Sequence, residues 1–128
     1  MIDAFVTLGV VEFDKVIDFY SKFLNQEPQR FIPNFYGEFR FPGGLRLGIF
    51  QPKAEHFSEF SNSHQSGMSL CLEVENLESA IDLLIAIGYP PSGEITLASH
   101  GREIYAYDPA GNRLILHQSV KSSQLDSP

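Results

Sequence analysis

Cysteine occurs once, as Cys71, and tryptophan does not occur at all. A lone cysteine excludes an internal disulfide framework and is typical of a reducing compartment, so we expect a cytoplasmic protein. No apolar run reaches the ~18 residues that cross a bilayer, and the first residues lack the pattern of a secretory signal, so no membrane association is expected. Nine basic against sixteen acidic residues give a net charge of −7, which argues against nucleic-acid binding.

What the sequence does contain is typical of a globular domain. Its 128 residues are 43% hydrophobic and include eleven Phe and five Tyr. This length predicts one domain with a sizeable core. Any aromatic pocket must therefore be built from Phe and Tyr, and the composition leaves open whether the protein is an enzyme.

The first half of the chain has the pattern strand, helix, strand, strand, strand. Residues 4–10 read as a buried strand, and short strands are predicted at 28–32, 35–41 and 45–50. Between them, apolar residues recur at helical spacing up to a stop at Asn25. These residues are Phe13, Val16, Ile17, Tyr20, Phe23 and Leu24.

The second half repeats this order after a polar, serine-rich linker at 52–67, in which one helical turn is expected near 54–60. Strands are predicted at 68–74, 93–98, 102–107 and 112–118. The helix between the first two begins after Asn76, a good N-cap, and ends at Gly88. Its apolar stripe consists of Leu77, Ala80, Ile81, Leu84, Ile85 and Ile87. Residues 119–128 are polar and are predicted to form a disordered tail.

The two halves also align residue by residue. Phe13 aligns with Leu77, and Arg46 aligns with Arg113 in the closing hairpins. We interpret the chain as a tandem duplication of one βαβββ unit. The predicted fold class is α+β, with one domain over 1–118 that contains module 1 at about 3–51 and module 2 at about 68–118.

Three segments carry a resemblance to a known family. They are Val16–Leu24, Leu72–Leu77 and Gly101–Asn112, of which the last, with Gly101-Arg102 and Asp108-Pro109-Ala110-Gly111-Asn112, is the most specific. The chain resembles the vicinal oxygen chelate superfamily, the glyoxalase/bleomycin resistance protein/dioxygenase group. The resemblance covers about residues 3–118. It implies paired βαβββ modules that form curved mixed sheets around a cleft, commonly in a homodimer.

The resemblance also implies four metal-ligand positions, one in each of four strands. In this sequence they fall on Phe5, Gly48, Ser69 and Ile115. Divalent ions need several imidazole or carboxylate ligands, which these residues do not supply. We therefore expect no metal and no cofactor at these positions.

Strand alternation predicts which side chains share a face with those four positions. The set is mixed in polarity, as small-molecule pockets are. The candidate ligand-binding residues are Phe5, Thr7, Arg46, Gly48, Phe50, Ser69, Cys71, Ile115 and His117, and Glu73 and Arg113 share the same parity. The opposite parity is uniformly apolar and should pack against the helices. A core filled by Phe5 and Ile115 is the alternative.

The four histidines are candidates for metal ligation or acid–base chemistry. His56 and Glu59 have the i, i+3 spacing of half a metal site, but a solvated linker is the favoured interpretation. His64 and His100 lie in a linker and a turn. His117 lies two residues beyond Ile115, so it can face the pocket and act as a hydrogen-bond donor, acid or base.

Three other side chains have competing interpretations. Cys71 is interpreted as a packing residue rather than a nucleophile, because nothing in the sequence places a base beside it. Arg46 and Arg113 would bind a carboxylate or phosphate if they face inward. Placement in water at the strand ends is preferred for both.

Two function classes remain open. The leading hypothesis is a metal-independent small-molecule-binding protein that sequesters an aromatic or cationic ligand in the cleft, to which the negative charge is suited. The alternative is a lyase, isomerase or dioxygenase with divergent metal ligands or acid–base work by His117 and Glu73. A vestigial cleft in a dimeric module is a third possibility. The aromatic stretch Phe31–Tyr36 is the expected dimer contact.

Overall fold

A computed structural model describes residues 1–120, and within them the chain forms ten regular elements besides two short 3-10 helices. The first half contains β1 (Val6–Gly9), α1 (Phe13–Leu24), β2 (Arg30–Ile32), β3 (Tyr36–Arg40) and β4 (Arg46–Phe50). The second half contains β5 (Ser69–Glu73), α2 (Leu77–Ala86), β6 (Thr96–Ala98), β7 (Gly101–Tyr107) and β8 (Arg113–Ser119). The 3-10 helices span Ala54–Phe60 and Ser63–Gln65.

These strands form two mixed four-stranded sheets of identical topology. The first has the order β1-β4-β3-β2 and the second β5-β8-β7-β6. In each sheet the first and last strands pair in parallel, and the other neighbours are antiparallel. The predicted α+β class with two βαβββ units is therefore confirmed. The chain separates into two compact units, residues 1–65 with 109–111 and residues 66–108 with the chain from Asn112.

Helix α1 packs its apolar stripe on the first sheet. Phe13, Val16, Ile17 and Tyr20 are buried, as the periodicity predicts. Phe19 is also buried although it lies off that stripe, because its ring packs edge-on against Tyr20 at 5.0 Å. The helix ends at Asn25, which adopts the left-handed conformation that asparagine tolerates.

Helix α2 is held by its ends as well as by its buried side chains. The Asn76 side chain accepts a hydrogen bond from the Ser79 N–H at 2.8 Å, which confirms the predicted N-cap. Leu77 and Leu84 are fully buried. Ile85 is 54% exposed, so its predicted inward position is wrong. The helix therefore buries a narrower stripe than the sequence pattern spans.

The limits of several elements differ from the sequence prediction. Most strands are shorter, and Phe5 lies just before β1 rather than inside it. Ser119 belongs to β8, so the polar tail does not begin at residue 119. Residues 121–128, the remainder of the predicted tail, lie outside the described residues. The domain and module boundaries stay a prediction. In the described chain no helix has the length and apolar character needed to cross a membrane.

The close packing of β7 against β8 at Gly101 can be tested by substitution. A Cβ on this residue would lie 2.1 Å from the Gln118 carbonyl oxygen, which belongs to the neighbouring strand and cannot move away. We expect Gly101→Ala to lower the free energy of unfolding by about 1–3 kcal/mol, measured by urea denaturation. Gly93→Ala is the control, because nothing lies within 4 Å of its Cβ position. It should change stability by no more than about 1 kcal/mol, and equal losses in the two variants would contradict this packing.

Candidate functional site

Each sheet has one face covered by its helix and one open face. In the first sheet, Leu47 and Ile49 are fully buried on the helix side. Gly48 lies between Thr7 on β1 and Glu38 on β3, so these residues share the open face. The parity predicted for β1 and β4 is thus the one that the strand register produces.

Arg46 lies on the first open face at the start of β4. Its guanidinium carbon lies 4.2 Å from the centroid of the Phe5 ring, a cation–π contact. Its Nη2 donates a hydrogen bond to Asp3, and its Nε lies 3.3 Å from Glu38 Oε1 without the geometry of a hydrogen bond. The side chain is only 22% exposed. The preference for Arg46 in water was therefore wrong, because two carboxylates and an aromatic ring hold it on the sheet.

Tyr36 fills the space beside Gly48. A Cβ on Gly48 would lie 2.6 Å from the Tyr36 hydroxyl oxygen. That hydroxyl donates a hydrogen bond to Glu38 Oε1 at 3.1 Å. Burial, and then the hydrogen bond and negative charge of Glu38, raise the pKa of Tyr36, so the phenol keeps its proton. A longer side chain at position 48 would require Tyr36 to move.

The far end of this face is covered by the 3-10 helix at 54–60. Phe60 packs edge-on against Phe50, with ring centroids 5.3 Å apart. A Cβ on Gly9 would lie 2.5 Å from the Phe60 ring, so this glycine allows the close approach. Phe50, predicted to line a pocket, contacts this segment and one side of an open cavity of about 400 Å³. His56, also on that cavity, lies 4.0 Å from Glu59 and is well exposed.

The open face of the second sheet contains the other predicted residues. Ser69, Cys71 and Glu73 on β5 pair with Arg113, Ile115 and His117 on β8. Arg113 Nε donates to the Ser69 hydroxyl at 2.7 Å, and its Nη2 donates to the Ser66 and Met68 carbonyls. Arg113 therefore fastens the start of β5 to β8 and is partly buried, so its predicted position in water was also wrong.

Glu73 and His117 form a close pair on this face. His117 Nδ1 lies 2.7 Å from Glu73 Oε1, and the Ser119 N–H donates to Glu73 Oε2 at 2.7 Å. Burial, the largest single effect, opposes ionisation of Glu73. The hydrogen bonds from His117 and Ser119 together outweigh it and lower the pKa of the carboxyl group. The arrangement resembles the base and orienting carboxylate of acid–base sites.

Cys71 is exposed, which overturns its interpretation as a packing residue. It lies on the open face next to Ile115, whereas the alternate residues of β5 and β8 fill the core under α2. Phe5 is 46% exposed in the chain, which does not favour a closed core at that position.

The sequence prediction missed the open-face residues of β3 and β7 because it applied strand alternation only to the first and last strands of each unit. Tyr36 and Glu38 lie on β3, and Tyr105 and Tyr107 lie on β7. The register pairs Tyr105 with Ile115 and Tyr107 with Arg113, and both tyrosines are substantially exposed. Alternation along these middle strands was the signal that could have found them.

The four positions at which the resemblance implies metal ligands do not fit a metal ion. Phe5, Gly48 and Ile115 have no donor atom, and the Ser69 hydroxyl accepts a hydrogen bond from Arg113. Tyr36 occupies the space a longer side chain at Gly48 would need. Over residues 1–120, no group of three or more His, Cys, Asp or Glu residues is placed to hold a metal ion.

Solved structures share this fold over nearly the whole chain. A glyoxalase/bleomycin resistance protein from Catenulispora acidiphila DSM 44928 is 18% identical, with a TM-score of 0.70 over 94% of this chain and 100% of its own. A glyoxalase-related enzyme from Fulvimarina pelagi is 17% identical, with a TM-score of 0.72 over 93% and 89%. The fold that the resemblance implies, with paired βαβββ units, is thus confirmed.

A third similar structure contains a metal. It is a mutant of the fosfomycin resistance protein FosX from Listeria monocytogenes, complexed with Mn(II) and 1S,2S-dihydroxypropylphosphonic acid. It is 20% identical, with a TM-score of 0.73 over 98% of each chain. No family model and no curated protein matches the chain. At these identities the structural likeness establishes the fold and leaves the ligand to be argued from the residues.

The Glu73–His117 pair can be tested by titration. In His117→Asn we expect the pKa of Glu73 to rise, because a hydrogen bond that favours the carboxylate is lost while burial remains. Carboxyl carbon NMR measures this pKa directly. In the parent, the lowered pKa means that the stabilising contribution of Glu73 is present above the ordinary carboxyl pKa and is lost as the pH falls through the lowered one. His100→Asn is the control, and an unchanged Glu73 titration in His117→Asn would contradict the pairing.

Proposed function

We propose that this protein is a metal-independent small-molecule-binding protein whose ligand is aromatic or cationic. The observation that carries the proposal is the composition of the second open face. Tyr105 is 50% exposed there, Tyr107 lies two residues further along the same strand, and the register puts Glu73 and Glu103 on either side of His117. Aromatic rings beside carboxylates attract flat, positively charged molecules.

Metal independence is supported by the chemistry of the four implied ligand positions. A divalent ion there would lose part of its hydration shell and gain neither an anionic oxygen nor an imidazole nitrogen. An apolar or aromatic molecule gains by leaving water for the exposed rings. We therefore assign this chain a binding role, such as sequestration of its ligand, in contrast to the Mn(II) complex of FosX.

An enzyme of the same superfamily, a lyase, isomerase or dioxygenase, is the second candidate. The specific observation that favours it is the 2.7 Å contact between His117 and Glu73. A carboxylate that orients an imidazole ring is a common arrangement in general acid–base catalysis. This candidate requires turnover that is lost in both His117→Asn and Glu73→Gln, whereas a binding protein requires none.

Binding is tested with 1-naphthylmethylammonium as an aromatic cation, measured by titration calorimetry on protein purified without chelator. We expect saturable binding without stoichiometric metal, and a loss of at least threefold in affinity for Tyr105→Leu and Tyr107→Leu. Tyr89→Leu is the matched control, because Tyr89 belongs to the same unit but follows α2 and is not part of the sheet. Stoichiometric tightly bound Zn, Ni, Fe or Mn, or equal losses in all three variants, would contradict the proposal.

We also propose a homodimer that uses the aromatic stretch Phe31–Tyr36. Phe31, Ile32 and Phe35 are 46%, 50% and 66% exposed, and they lie on or just after β2, the edge strand of the first sheet. Apolar patches and open sheet edges favour a covering partner. A cytoplasmic location is proposed with it, since the exposed thiol of Cys71, the only cysteine, is compatible with a reducing compartment.

Light scattering at micromolar concentration tests the dimer. The parent should have twice the mass of one chain, and Phe35→Glu should shift it toward the monomer because a charge would be buried in the contact. Leu97→Glu is the control, since Leu97 is 85% exposed but lies on β6 of the other unit. A monomeric parent would refute the proposal.

A further inference from the structure

The guanidinium of Arg46 is held in a fixed position on the first sheet. Glu38 lies beneath it on the neighbouring strand and is 7% exposed, so this carboxylate is a permanent partner. The Phe5 ring supports one face of the guanidinium at 4.2 Å. An arginine constrained in this way has lost much of its side-chain freedom already, and it binds a planar anion at less entropic cost than a free one.

Asp3 is a different kind of partner. Its carboxylate is 61% exposed and comes from the segment before β1, outside the sheet. Its pKa is lowered mainly by the hydrogen bond with Arg46, so it is ionised at neutral pH. Exposed ion pairs of this type contribute little to stability. The contact with Asp3 therefore shows that Arg46 can bind a carboxylate at this position. Asp3 can leave the position without unfolding the sheet.

The surroundings indicate what would replace Asp3. Glu38 balances the charge of Arg46, so exchanging one carboxylate for another leaves the local charge unchanged. A cation in the position of Asp3 would be repelled by the guanidinium. Phe5 is 46% exposed and Thr7 is exposed beside it, which supplies an apolar surface and a hydroxyl next to the anion position.

We propose that Arg46 is an anion-binding group and that it takes a ligand with a carboxylate attached to an aromatic body, which displaces Asp3 from Arg46. The proposal rests on the proposed binding function and adds to it a ligand class, the aromatic carboxylates, that binds on the first sheet. Arg46 and Phe5 form the site, Glu38 positions the guanidinium, and Asp3 is a built-in competitor that weakens binding.

The experiment measures the affinity of the intact protein for 2-naphthoate by titration calorimetry. Two probes of the same ring are compared with it, neutral 2-naphthamide and the cation 1-naphthylmethylammonium. Asp3→Asn removes the competing charge and should tighten 2-naphthoate binding at least threefold. Arg46→Gln should weaken it at least tenfold, with much smaller changes for 2-naphthamide.

Two further variants make the result specific. Arg40→Gln is the matched control, because Arg40 pairs with Arg46 across β3 and β4 and is exposed, so the same charge is removed from the same face. It should leave 2-naphthoate binding within twofold of the parent. Arg46→Lys keeps a cation beside Glu38 but loses the planar donors, and an intermediate affinity is expected even if Arg46→Gln fails to fold.

The outcomes separate this inference from the proposed function. If 1-naphthylmethylammonium or 2-naphthamide binds but 2-naphthoate binds neither the parent nor Asp3→Asn, the assignment of Arg46 is wrong while the binding function stands. If no probe binds, both are wrong. Equal effects of Arg40→Gln and Arg46→Lys, or weaker 2-naphthoate binding by Asp3→Asn, would also overturn the assignment.

Discussion

The parallel pairing of the first and last strands of each unit is the constraint on which the rest of the structure depends. Parallel neighbours cannot be joined by a tight turn, so the chain must cross a face of the sheet between them. In both units the helix lies in that connection and packs most extensively on the closing strand, β4 or β8. One face is therefore buried under the helix, and the other remains open to carry chemistry.

The two open faces differ although their strands correspond. Arg46 and Arg113 occupy equivalent places in the repeat, yet one is stacked on Phe5 between two carboxylates and the other bonds Ser69 and the backbone at the start of β5. The difference arises from their neighbours. Glu38 lies opposite Gly48 in the first sheet, whereas Tyr105 occupies the matching place on β7 and offers no carboxylate. Arg113 instead donates to oxygen atoms at the start of β5 and in the segment just before it.

Two residues at the positions that the resemblance implies for metal ligands shape the first open face. Gly48 leaves room that Tyr36 occupies, and Phe5 provides the ring on which Arg46 rests. A positive charge is thus present on this face, but it belongs to the protein. The guanidinium of Arg46 is held by the buried carboxylate of Glu38. A carboxylate that is shielded from water is stable only when it is paired with a positive charge.

The sequence by itself determined the two helices, the order of the strands and the apolar face of each sheet, because these depend on periodicity within a few residues of chain. Once the resemblance had placed the implied metal positions, residue type was enough to predict that they lack metal-binding side chains. Tertiary structure alone decided that Arg46 meets Glu38 and Phe5, that His117 meets Glu73, and that Cys71 is exposed. Strand register brings those partners together. A long polar side chain contacts the charged groups and rings on the neighbouring strands, and these depend on residues that are distant in the sequence.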